Sequence, residues 1–138
     1  MDISLAESIT SDVAIRLLPE FNTLRVQCGD RNKDIPTEEW WLPNMAVIFA
    51  HEEAEVFGWC ALMSDEKEKK SVIYSIWTKP HANQGDTEDK LVRKALSLAK
   101  RKRSTELSVG VYADTDAVPS PYNRLGFEVG YIGLAMPL

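Results

Sequence analysis

The chain has 138 residues, a net charge of −5, 44% hydrophobic residues and 27% charged residues. That length supports one hydrophobic core, so a single domain over residues 1–138 is expected, and the composition excludes a disordered or fibrous chain. The acidic balance argues against a general nucleic-acid binder, which needs excess Lys and Arg to displace counterions. No run is apolar and long enough to span a bilayer, and the N-terminal MDISLAESIT lacks the basic start and apolar stretch of a secretory signal, so a cytoplasmic location is expected.

In chain order, Asp2–Ile9 alternates apolar and polar residues loosely, as a first strand would. Residues 11–27 carry helical apolar spacing behind the capping candidates Ser11 and Asp12, and Pro19 is expected to begin a second helical piece rather than sit inside the first. A polar loop follows. Thr37 then opens a short turn that carries Trp40 and Trp41 and stops at Pro43. Met45–His51 and Val56–Met63 form a predicted hairpin, and Ser71–Thr78 a third antiparallel strand with Val72, Tyr74 and Ile76 on one face. Cys28 and Cys60 stand far apart without a C-x-x-C or a neighbouring His, which predicts reduced, buried thiols and no metal site.

The clearest helical pattern runs from Thr87 to Arg103, where Leu91, Ala95, Leu98 and Ala99 form one stripe that Val92 and Leu96 widen. Its charge passes from acidic to basic, and the closing run Lys100–Arg103 complements the helix dipole. Glu106–Tyr112 reads as a strand, followed by a Pro-rich connection, the hexapeptide YNRLGF and one last strand within Glu128–Leu138. The helical crossover makes Ser71–Thr78 and Glu106–Tyr112 parallel neighbours. The fold class expected is therefore α/β (α+β): a single mixed, mostly antiparallel sheet flanked by helices.

Between strand and helix lies TKPHANQGDTEDKL, Thr78 to Leu91. A strand, a tight loop and a helix N-terminus together present free backbone N–H groups to an anion. Asp86, Glu88 and Asp89 place three carboxylates at the same spot, so the stretch also reads as a helix start that Asp86 caps and the other two offset electrostatically.

Tyr122-Asn123-Arg124-Leu125-Gly126-Phe127 is similar to the Y-x-[KR]-L-G-F motif of the GNAT acyltransferase superfamily, and the element order over residues 45–131 resembles it as well. The resemblance implies an N-acetyltransferase that uses acetyl-CoA as co-substrate and an amine, on a small molecule or a protein, as acceptor. A homodimer is a possible assembly, while the charge and hydropathy above give neither a membrane nor a nucleic acid as partner. By position, Tyr122 is implied as the acid that protonates the leaving thiolate. The backbone of Ile76, Trp77 and Thr78 would align the pantetheine arm, and the loop Asn83, Gln84, Gly85, Asp86, Thr87 and Glu88 would face the pyrophosphate.

The family's glycines are replaced. In one register Asn83 takes the amide position, with Asp86 and Glu88 at the glycines; shifted by one, Gln84 takes it, with Thr87 and Asp89 there. Pro119 and Pro121 interrupt the helix before the tyrosine, and Thr115 stands at the usual asparagine. Base candidates are Glu52, Glu53, Asp65 or a water held by Ser75, with His51 and His81 behind them. Trp40 and Trp41 fall where the family builds its acceptor pocket, or else cover the sheet edge. These departures leave a second reading open: an inactive fold of this type that binds a protein partner as a regulator or particle component.

Overall fold

The computed structural model describes residues 1–27, 41, 44–80, 83–109, 122–129 and 134–138. Its elements in chain order are β1 (Asp2–Ala6), α1 (Asp12–Gln27), β2 (Met45–Glu52), β3 (Glu55–Asp65), β4 (Lys70–Thr78), α2 (Gln84–Arg101), β5 (Glu106–Val109), α3 (Tyr122–Leu125), β6 (Glu128–Val129) and β7 (Leu134–Pro137). The strands form one seven-stranded sheet in the order β1-β2-β3-β4-β5-β7-β6. All pairs are antiparallel except β4 and β5, which α2 joins as a crossover and which lie parallel as expected.

Each face of the sheet is covered by a helix. On one side Ala14, Leu17 and Phe21 of α1 meet Val47, Phe49, Val56, Trp59 and Ala61. On the other, Leu91, Val92, Ala95, Leu98 and Ala99 of α2 meet Ile48, Cys60, Leu62, Ile73 and Leu107. Successive residues of β2 therefore serve opposite layers, which is why Ala46–Ala50 reads as an unbroken apolar run. Each fully buried Leu or Phe in these layers stabilises the fold by roughly 1.5–3 kcal/mol relative to leaving it exposed.

Three expectations need correction. First, α1 is one continuous helix with Pro19 inside it. Ser11 caps it, accepting the Ala14 N–H at 3.2 Å. Pro19 lies on the exposed side, where water can serve the carbonyl left without a partner one turn back at exposed Ile15, and the buried stripe on the opposite side holds the helix together.

Second, Val72, Tyr74 and Ile76 do not share a face. Ser75 pairs with Ala61 and Ile73 with Leu62, so Tyr74 is an extra residue in β4. This bulge inverts the phase: Ile73 and Ile76 join the α2 layer and Tyr74 is exposed. Third, the C-terminal stretch is two short strands rather than one, with β6 folded antiparallel to β7. A two-residue strand carries too little alternation to separate it from its neighbour in the sequence.

The bulge sets up the site. Among the described residues the parallel ladder pairs Lys70–Ile73 with Glu106–Val109. A bulge bends its strand and increases local twist. Tyr74–Thr78 continue β4 beyond the bulge to the pairing of Thr78 with Gly58 of β3. The part of Glu106–Tyr112 beyond Val109, with Thr115, Pro119 and Pro121, lies outside the described residues, as do Cys28, Thr37, Trp40, Pro43 and His81.

Candidate active site

The C-terminal end of β4, the first turns of α2 and the single turn of α3 converge. Gly58 of β3 pairs with Thr78, and a Cβ built on it would lie 2.7 Å from the Trp77 carbonyl oxygen and 3.2 Å from side-chain atoms of Leu91 and Thr78. Only glycine lets β3, the end of β4 and α2 approach this closely.

Asn83 is the residue before α2, and its side chain makes no capping hydrogen bond. The first intrahelical bond is donated by the Thr87 N–H to the Asn83 carbonyl at 3.0 Å, and the Thr87 hydroxyl donates to the same oxygen. Helix geometry leaves the N–H groups of Gln84, Gly85 and Asp86 without intrahelical partners, and the space above the Gly85 Cα is open. The Gln84 side-chain amide ties the turn back to β4 by donating to the Thr78 carbonyl at 3.3 Å.

The three carboxylates behave differently from the expected cap. Asp86 does not cap α2: Asn83 holds that place, and Asp86 lies inside the helix, exposed and paired with Lys90 at 3.3 Å one turn on. Asp89 pairs with Arg93 of its own helix and with Arg124 of α3. Glu88 is half-buried and turned toward Tyr122 and Cys60.

Tyr122 is 2% exposed, its ring edge-on to Phe127 at 5.4 Å. Its hydroxyl is buried and closes no hydrogen bond. The Glu88 carboxyl comes near enough for each group to feel the other without a well-formed bond between them. Burial first, then the Glu88 charge, pushes the phenol well above the usual tyrosine range. Burial also raises Glu88, partly offset by the phenol hydroxyl, and burial followed by the Glu88 charge raises the Cys60 thiol. Cys60 is a free, buried thiol as expected. Gly126 (φ +92°) ends α3 in the left-handed region, and the Phe127 N–H returns to the Tyr122 carbonyl at 3.1 Å.

On the α1 face of the same sheet end lies a cavity of about 370 Å³, lined by Leu24, Gln27, Trp77, Lys79 and Pro80. Trp77 stacks on Trp59 at 4.7 Å, and Lys79 pairs with Glu55 at 3.4 Å. Trp41 covers rather than lines: it packs on Phe21 and Phe49, and its indole N–H donates to the Ala6 carbonyl at 2.9 Å.

Most base candidates are committed elsewhere. His51 is 2% exposed and held on both sides, by the Ser4 hydroxyl at 2.7 Å and the Glu53 carbonyl at 2.8 Å. Ser75 accepts the Trp59 indole N–H. Asp65 accepts the Lys67 and Glu68 N–H groups in the turn at the far end of β3 from Thr78. Glu52 lies 3.9 Å from the N-terminal ammonium. What the sequence reading missed is the contact between α2 and α3: the Asp89–Arg93 spacing of four was visible, but nothing local ties either residue to Arg124.

Among the described residues no cluster of three or more His, Cys, Asp or Glu could hold a metal, and no helix is long and apolar enough to cross a membrane. No family model matches the sequence, and no curated protein matches it. Solved structures do match. The aminoglycoside 6'-N-acetyltransferase from Enterococcus faecium superposes with a TM-score of 0.77 at 13% identity, over 99% of this chain and 97% of that one. An aminoglycoside 6'-acetyltransferase type Ii gives 0.73 at 17% identity, over 99% and 97%. Tetrahymena GCN5 gives 0.71 at 12% identity, over 95% of this chain and 81% of its own. The chain has the fold of the GNAT acetyltransferases.

Proposed function

We propose that the protein is an acyl-CoA-dependent N-acetyltransferase, moving an acetyl group from acetyl-CoA to an amine. The observation that carries this reading is the buried Tyr122 hydroxyl, left without a hydrogen bond beside an α2 N-terminus that has no side-chain cap. A buried hydroxyl without a partner costs about 1–3 kcal/mol, and a fold keeps such a group where a bound molecule completes it.

The residues present fit the coenzyme. Gln84, Gly85 and Asp86 offer backbone N–H groups to a pyrophosphate, and the open space at Gly85 allows the approach. The acidic run does not oppose it strongly, because Asp86 and Asp89 are neutralised by Lys90, Arg93 and Arg124. The backbone of Ile76, Trp77 and Thr78 at the C-terminal end of β4 would take an extended pantetheine arm as an added strand. Acetyl-CoA supplies the acetyl group activated as a thioester. Tyr122 holds its proton because burial and Glu88 disfavour the phenolate, and so acts as the proton donor to the leaving sulfur. The cavity beside Trp77 and Lys79 admits the amine from the opposite face of the sheet.

A thermal-shift titration with acetyl-CoA tests the reading. A ligand bound only by the native state should add about 2.7 kcal/mol at 100 times its Kd. No shift at millimolar acetyl-CoA would favour the second reading, an inactive fold of this type that binds a protein. The replaced glycines at Asp86 and Glu88 are the feature on its side.

A further inference from the structure

α3 is a single turn, too short to hold its own conformation. Tyr122 packs into the core layer with Leu91, Val92 and Phe127, and Leu125 rests against the same layer; to this packing the Arg124 guanidinium adds an ion pair with the Asp89 carboxylate at 3.4 Å. Asp89 is an unusual surface acid. Its side chain is 16% exposed, while its partners Arg93 and Arg124 are 62% and 57% exposed. One carboxylate oxygen takes Arg93 from its own helix and the other takes Arg124 from α3. Asp89 directly follows Glu88, the residue turned toward the Tyr122 hydroxyl, and Arg124 stands two residues after Tyr122. The first turns of α2 thus meet α3 at two adjacent points, one polar and inward, one ionic and outward.

We infer that Asp89, acting through Arg124, is a positioning residue for Tyr122: it clamps the single turn of α3 onto α2 and so keeps the phenol buried at the α2 N-terminus. Its kinetic consequence rests on the acetyltransferase reading, whereas its structural consequence does not. Exposed ion pairs contribute little to overall stability, so the effect of the clamp is local. Arg93 fixes the Asp89 carboxylate along α2 and leaves the second oxygen aimed at α3. A displacement of about 1 Å in a proton donor can cost up to 10²-fold in rate.

The test compares Asp89→Asn with Arg124→Gln, which break the same pair while changing the charge in opposite senses. The titratable groups that act on the phenol are Glu88 from α2 and Cys60 from β3, while Asp89 and Arg124 form the outward pair between α2 and α3. Carbon-13 NMR of tyrosine-labelled protein, with Tyr122→Phe to assign the signal, follows ionisation of the phenol with pH. If the clamp holds the residue, both variants release it toward water and both lower its ionisation pH toward the ordinary tyrosine value of about 10. A direct charge effect would move them in opposite directions, because losing an anion eases ionisation and losing a cation hinders it. Opposite movements, or none in either variant, overturn the proposal. In turnover, both variants should lose about tenfold or more in kcat with the KM for acetyl-CoA within about twofold, and Arg124→Lys should restore part of it. Movement of the phenol signal in a protein that neither binds acetyl-CoA nor transfers acetyl groups would uphold the clamp and reject the enzyme.

Discussion

Replacing Tyr122 by Phe removes a hydroxyl that is buried without a hydrogen bond and keeps the ring against Phe127. The variant should therefore be more stable, by about 1 kcal/mol, because the penalty for an unsatisfied buried group disappears. It should also lose roughly 10²-fold in kcat with coenzyme affinity unchanged, since only the proton donor has gone. Denaturant melts and steady-state kinetics read the two separately, and intact turnover would end the donor role. Glu88 gives a second test at this scale. Its carboxyl is raised above the ordinary 4.5 by burial, so the fold favours the protonated form. Its stabilising contribution is complete below that ordinary value and is lost as pH rises through the raised one. Glu88→Gln removes this loss. The melting temperature of the variant should gain on the original protein from pH 4 to pH 7, and a difference that stays flat across that range would mean Glu88 is solvated like an exposed acid.

Among the elements, β4 decides where the site lies. Its bulge at Tyr74 shifts its register against β3, and its last residues lean on Gly58. Gly58→Ala would set a Cβ 2.7 Å from the Trp77 carbonyl oxygen, a backbone atom that can move only if β4 moves. We expect a loss of roughly 1–3 kcal/mol in stability together with weaker acetyl-CoA binding, because the displaced strand end carries the backbone of Trp77 and Thr78. Calorimetric titration showing unchanged affinity in the variant would separate this strand end from coenzyme binding. The helices behave by their own rules. α1 tolerates Pro19 because the proline faces water, and the start of α2 is built around Asn83 rather than around the acidic residues that make the better capping candidates.

Across the whole molecule, the sheet divides two kinds of surface. The α2 side holds Tyr122, Glu88 and the α2 N-terminus, and the α1 side holds the cavity beside Trp77. The end of β4 reaches both, which suits a reaction in which two substrates meet across one strand. The element order, the hairpin of β2 and β3, the stripe on α2 and the parallel pair β4–β5 were legible in the sequence, because periodicity and crossover length are local properties of the chain. YNRLGF was legible too, and it alone marked Tyr122. The bulge was not, since an extra residue in β4 shows only against the register of β3. Nor were the partners that two of the three acids find outside α2. That Asp89 meets Arg124 and Glu88 turns toward a buried phenol depends on where α3 docks, and α3 lies more than thirty residues further along the chain. Sequence alone determined the layers and the candidate acid, because neighbouring residues encode them; only the tertiary structure decided the burial of Tyr122 and the disposition of charge around it, because burial and ion pairing are set by residues that are distant in sequence and adjacent in space.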